Sequence, residues 1–105
     1  MNHNRCCYCR RVFIEDDKNL KPSKDHFIPT SRGGKNGENI LHCCQECNHW
    51  KADRMPELWL GRVEYFEKKR TLFGTYTLMD YRQIIGSIRH WTKFLKGKNI
   101  SDYKY

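Results

Sequence analysis

No stretch of this 105-residue chain is apolar for anything near the ~20 residues a membrane helix needs. The first residues, MNHNRCCYCRR, carry charge but no apolar run of the secretory kind. The expectation is a protein with no membrane partner and a cytoplasmic setting. Internal repeats and low-complexity tracts are also missing, which excludes a repeat architecture. Apolar residues are scarce: hydrophobic content is 38% and charged content 30%, with a mean hydropathy of −0.90. A chain this short and polar buries one modest core and little more. A further staple is therefore expected, and the six cysteines are the candidates.

Acidic residues are short as well, 12 against 20 Lys and Arg, for a net charge of +8. A basic surface of this kind favours nucleic acid or anionic membranes and says nothing about fold. The excess is uneven. Residues 1–56 hold ten basic against seven acidic side chains, and residues 57–105 hold ten against five. Four thiolates around one Zn²⁺ would add about −2 to the first part. The second part then supplies most of the long-range attraction.

What is present falls into short elements. Arg11–Ile14 reads as an apolar strand, Glu15–Lys24 as a charged loop, and Asp25–Pro29 (DHFIP) as a strand ending at proline. Thr30–Glu38 carries three glycines and reads as a turn-rich loop, with Asn39–His42 as a second strand. From Cys44 the composition suits a helix until Pro56, which fits the first turn of the next one. Over Glu57–Leu72, Leu60, Val63 and Phe66 recur at helical spacing, with Trp59 beside them. Thr77 to Asp80 has the form of a capping box. Tyr81, Ile84, Ile85, Ile88, Trp91 and Leu95 then mark one face of an amphipathic helix, with Gly97 as its stop and a frayed tail from Lys98. The prediction is an α+β chain in a single domain, 1–105, with a ββα finger over 1–56 and a helical extension over 57–105. The apolar stripes of that extension read as core or as a dimer face.

Cys6-x-x-Cys9 and Cys44-x-x-Cys47 form two knuckles. Two-residue spacing lets both thiolates of a knuckle reach one tetrahedral ion, and two knuckles close its coordination. A closed Cys₄ site is structural and contributes folding free energy. Without a secretory segment, metal ligation is preferred to disulfides. The frame is doubled, because Cys7 and Cys43 adjoin the proposed ligands. Cys7-x-Cys9 is too tight for a normal knuckle; Cys43-x₃-Cys47 is possible, but Cys44-x-x-Cys47 mirrors the first pair and is preferred, with Cys7 and Cys43 then read as small buried apolar residues.

Between and after the knuckles lie Asp25-His26, Arg32-Gly33-Gly34, Asn39 and Asn48 with Lys51. Phosphodiester hydrolysis needs a base for water, neutralisation of phosphate charge and help for the leaving oxygen. Asp25 is a hard oxygen ligand suited to Mg²⁺ or Mn²⁺. On a regular strand Asp25 and His26 point to opposite faces, so a bend or a two-sided site is required.

The order C-x₂-C, D-H-x-I-P, G-G, E-N-I, C-x₂-C-N-x₂-K resembles the HNH endonuclease family in its zinc-stapled form, over about residues 6–56. The resemblance implies a ββα-metal finger that hydrolyses DNA to 5′-phosphate and 3′-hydroxyl ends. By position, His26 matches the general base, Asp25 and Asn48 the ligands of the catalytic Mg²⁺ or Mn²⁺, and Asn39 the residue bracing the long loop. Lys51 matches a basic residue that touches phosphate. Arg32, Lys35 and Arg54 are further candidate phosphate contacts. The third motif letter is often histidine and is Asn48 here, which favours a hard cation. His49, about 100° round the helix, is not expected to replace it. His42 reads as a surface residue, and His3 and His90 as incidental. Two other functions stay open: a non-catalytic zinc-knuckle module that binds nucleic acid, and an effector nuclease directed at RNA or modified DNA. The extension is left with three roles: forming a homodimer, docking on a larger phage or bacterial complex, or covering the finger's apolar face.

Overall fold

The computed structural model describes residues 4–96; His3, Gly97 and the tail from Lys98 lie outside the described residues. The chain runs through β1 (Pro22–His26), a 3₁₀ turn (Thr30–Arg32), β2 (Ile40–Cys44), α1 (Gln45–Lys51), α2 (Pro56–Lys69) and α3 (Leu78–Lys96). This is the α+β arrangement expected. β1 and β2 pair antiparallel, with Pro22 opposite Cys44, Asp25 opposite Leu41 and His26 opposite Ile40. Period-two alternation places Lys24 and His42 on the exposed face and Asp25 and Leu41 on the buried one.

Several boundaries differ from those read in the sequence, each for a local reason. Arg11–Ile14 forms no strand, only one isolated bridge between Arg5 and Val12. The cysteine knuckle folds this segment back on itself, since Cys6 N donates to Arg11 O at 2.9 Å. β1 begins at Pro22, inside the expected loop, because proline is tolerated at a strand's first position. It stops at His26 because the Asn39 amide takes both the N–H and the C=O of Ile28. α1 stops at Lys51 rather than running to Pro56, because Ala52 has a φ of 51° and a ψ of −135°. Pro56 then opens α2 as expected.

One apolar cluster runs from Cys6 to Leu95. Trp59 and Val63 of α2 and Tyr81, Ile84 and Ile88 of α3 are buried, which is the helical stripe read in the sequence. Each such side chain contributes roughly 1.5–3 kcal/mol on burial. Trp59 meets the Tyr8 ring edge-on at 5.0 Å, and Trp50 packs against Trp59, Phe66, Phe73, Tyr76 and Tyr81. The capping box forms: Thr77 N donates to Asp80 Oδ2 at 2.8 Å and Asp80 N to Thr77 Oγ1 at 3.2 Å. Further along α3, Ser87 Oγ donates to Tyr8 O at 2.8 Å and Trp91 Nε1 to Cys7 O at 3.2 Å. The extension thus covers the apolar side of the finger. Among the described residues no helix is long and apolar enough to cross a membrane.

Candidate metal centre and active cleft

Cys6, Cys9, Cys44 and Cys47 converge so that their sulfurs all lie within 4.8 Å of one another, and all four residues are buried. A tetrahedral ion with S–Zn bonds of ~2.3 Å requires S···S edges of about 3.8 Å. Cys9 Sγ and Cys44 Sγ are 3.8 Å apart. The cluster is fit to hold a zinc ion, in the frame read from the spacing. Cys7 and Cys43 are buried but outside it. The local fold supports the ligands: Cys44 is the N-cap of α1, its sulfur accepting Cys47 N at 3.4 Å.

The sulfurs also receive donors that the spacing does not reveal. Tyr8 N and Cys9 N point at Cys6 Sγ, at 3.3 and 3.4 Å. Arg11 Nε donates to Cys9 Sγ at 3.1 Å, and its other nitrogens reach Glu46 and Thr75. Tyr76 Oη donates to Cys47 Sγ at 3.2 Å. Contacts from Cys44, Cys47 and Cys6 hold the Cys9 thiol well below its ordinary pKa, whereas burial pushes Cys6 up to about 12. Such N–H and O–H donors offset the negative charge of a zinc tetrathiolate.

The second site lies where β1 ends. Asp25, His26 and Asn48 line one open cleft of about 220 Å³, with Thr30, Ser31 and Asp53 beside them. The opposite-face problem of the dipeptide is solved by position. His26 is the last residue of β1, and α1 brings Asn48 alongside Asp25. Asn48 Nδ2 donates to Ser23 Oγ at 2.5 Å and to Lys24 O at 3.3 Å. That ties the nitrogen end of the amide to β1 and leaves its oxygen as the end to offer. A carboxylate and an amide oxygen are a donor set suited to a hard divalent cation.

Asp25 is 6% exposed. Its Oδ2 accepts from Tyr8 Oη at 2.6 Å and from Lys51 Nζ at 3.1 Å, while Oδ1 is 3.4 Å from the same ammonium. Burial raises the Asp25 carboxyl above its ordinary pKa, against the pull of Lys51 and Tyr8. The Tyr8 phenol, fully enclosed, is pushed well above its own and stays a donor.

The loop from β1 to β2 is braced by Asn39. Its Oδ1 accepts Ile28 N at 2.8 Å, and its Nδ2 donates to Ile28 O and Lys35 O, each at 2.9 Å. Gly34 closes on the same spot, with its N–H on Pro29 O at 2.9 Å. A Cβ there would overlap the Ile28 carbonyl, so only glycine fits. The loop also brings Asn36 Oδ1 to 2.9 Å from His26 Nε2.

The basic candidates divide. Lys51 is corrected as a phosphate contact: it is wholly buried, and its ammonium is spent on Asp25 and on His26 O at 3.1 Å. Arg54 turns onto the C-terminal end of α1, donating to Trp50 O at 2.6 Å. Arg32 and Lys35 are exposed on the loop. His49 is exposed, with Nε2 2.7 Å from Gln45 Nε2, and does not line the cleft. Tyr8, Arg11, Asn36 and Tyr76 are contributors the motifs do not identify; for Tyr8 the one signal is its place inside a knuckle. A larger groove of about 410 Å³, between Cys7 and Arg10 and the Arg82–Trp91 stretch of α3, holds none of the candidate residues.

Residues 6–59, just over half of the chain, match the family model described as HNH endonuclease. No curated protein and no solved structure matches the chain.

Proposed function

The chain belongs to the HNH endonuclease family, and from that premise we propose that it hydrolyses phosphodiester bonds of DNA with His26 as general base and a divalent cation on Asp25 and Asn48. The observation that carries the proposal is the cleft itself, where a carboxylate, an imidazole and an amide from two elements meet. A module that only bound nucleic acid would need the cysteine cluster and the basic surface, but not these three groups together.

His26 Nε2 lies 2.9 Å from Asn36 Oδ1, and an N–H donated to that oxygen would leave the lone pair on Nδ1. Nδ1 then takes the proton of the attacking water. Asn39 keeps the loop closed around Ile28 and so holds His26 and Asn36 in register. Arg32 and Lys35, exposed on the loop, would meet flanking phosphates. Asp25 and Asn48 would hold Mg²⁺ or Mn²⁺, which stabilises charge on the phosphate and on the 3′ leaving oxygen. The products are a 5′-phosphate and a 3′-hydroxyl. The test is incubation of the protein with supercoiled plasmid in Mg²⁺, Mn²⁺ or EDTA. Nicking is expected with either cation and none in EDTA; metal-independent nicking, or none in any condition, would count against the proposal.

A further inference from the structure

We propose that Tyr8 and Lys51 are positioning residues for the Asp25 carboxylate, so that the cysteine knuckle, through Tyr8, sets the geometry of the active cleft. The inference rests on Asp25 being a ligand of the catalytic cation.

Tyr8 sits between the two ligands of one knuckle, Cys6 and Cys9. Its backbone is fixed at both ends: N donates to Cys6 Sγ at 3.3 Å and O accepts from Ser87 Oγ at 2.8 Å. Its ring is fully buried, edge-on to Trp59 at 5.0 Å and stacked towards Phe27 at 6.5 Å. The hydroxyl therefore has one place to be, 2.6 Å from Asp25 Oδ2. Lys51, the last residue of α1, meets the same oxygen from another direction at 3.1 Å and also holds His26 O at 3.1 Å. One carboxylate is thus gripped by the zinc knuckle and by the helix that the second knuckle starts. A carboxylate free to rotate would lose that freedom on ligating a cation; here the loss is already taken in the fold. Hydrogen-bond partners of metal ligands commonly set affinity by roughly 10–100-fold.

Tyr8→Phe removes the hydroxyl and keeps the ring. The expected result is unchanged zinc content by elemental analysis, with Mn²⁺ binding, read by electron paramagnetic resonance without substrate, weakened roughly 10–100-fold. Asp25→Ala is the reference and should abolish that binding. Unchanged Mn²⁺ affinity in Tyr8→Phe, beside loss in Asp25→Ala, overturns the inference and leaves the nuclease reading intact. Wild-type protein that binds no Mn²⁺, or binds it equally in Asp25→Ala, overturns both. If Tyr8→Phe loses zinc, 3-fluorotyrosine placed at position 8 keeps the packing and makes the phenol a stronger donor. Its Mn²⁺ dissociation constant must then differ from the wild-type value, and identity of the two overturns the inference.

Discussion

Lys51 Nζ lies 3.1 Å from Asp25 Oδ2, with the two side chains 0% and 6% exposed. The cation that resembles a phosphate contact in the sequence works inside the protein. An ion pair taken out of water recovers its desolvation cost only where geometry is good and the remaining hydrogen-bonding groups are satisfied. Tyr8 supplies that extra bond on the carboxylate, and the His26 carbonyl supplies it on the ammonium. The pair is thus complete, and each member is costly to remove alone.

Lys51→Met leaves the Asp25 carboxylate buried with only Tyr8 as partner. Breaking a buried pair by removing one member typically costs about 3–5 kcal/mol. The expected loss is of that order by urea denaturation. Asp25→Asn with Lys51→Met removes both charges and should recover most of it. Additive losses in the double variant would show that the two residues are energetically independent.

The cysteine frame has a sharper test. Wild-type protein should carry one zinc per chain. Cys47→Ser, which removes a ligand and the acceptor of Tyr76 Oη, should lose the metal and its cooperative unfolding. Cys7→Ser and Cys43→Ser should keep zinc, since both residues lie outside the sulfur cluster. Zinc lost from either of these, or absent from native wild type, would defeat the four-ligand assignment.

His26→Ala should reduce plasmid nicking by roughly 10²–10⁴-fold, the usual contribution of a positioned general base. Duplex binding in a gel-shift assay should persist, because the exposed cations are untouched. Nicking at the wild-type rate would remove His26 from the mechanism.

The sequence was most legible where chemistry imposes spacing. The two knuckles could be read because one tetrahedral ion needs paired ligands at that spacing; Asp25, His26 and Asn48 stand out only through the family resemblance, and they line one cleft. The apolar face of α3 was legible because Tyr81, Ile84 and Ile88 repeat at the helical period. Residues joined across the chain were not. Tyr8 and Asp25 are 17 positions apart and Lys51 and Asp25 26 apart, with no local pattern to connect them. Lys51 misled because a lysine on a helix looks the same in the sequence whether its ammonium faces water or a buried carboxylate. Strand ends were displaced because side chains decide them: the Asn39 amide occupies Ile28 where the ladder would continue.

Two backbone positions flanking the cleft should respond to substitution with opposite sign. Ala52, at a φ of 51° and ψ of −135°, holds a conformation that glycine adopts freely and an L side chain does not. Such strain costs of order 1–3 kcal/mol. Ala52→Gly should therefore raise stability by about 1 kcal/mol, after the greater entropy that glycine loses on folding. In a domain of this size that is a rise of roughly 4–8 °C in Tm. Gly34 is the reverse case. Its added Cβ would overlap the Ile28 carbonyl, the group that Asn39 Nδ2 binds. Gly34→Ala must push the loop outward, breaking the Asn39 brace and moving Asn36 away from His26. It should lower Tm and, on the nuclease reading, reduce nicking while zinc content is unchanged. A stable and fully active Gly34→Ala protein would mean that the loop does not position His26.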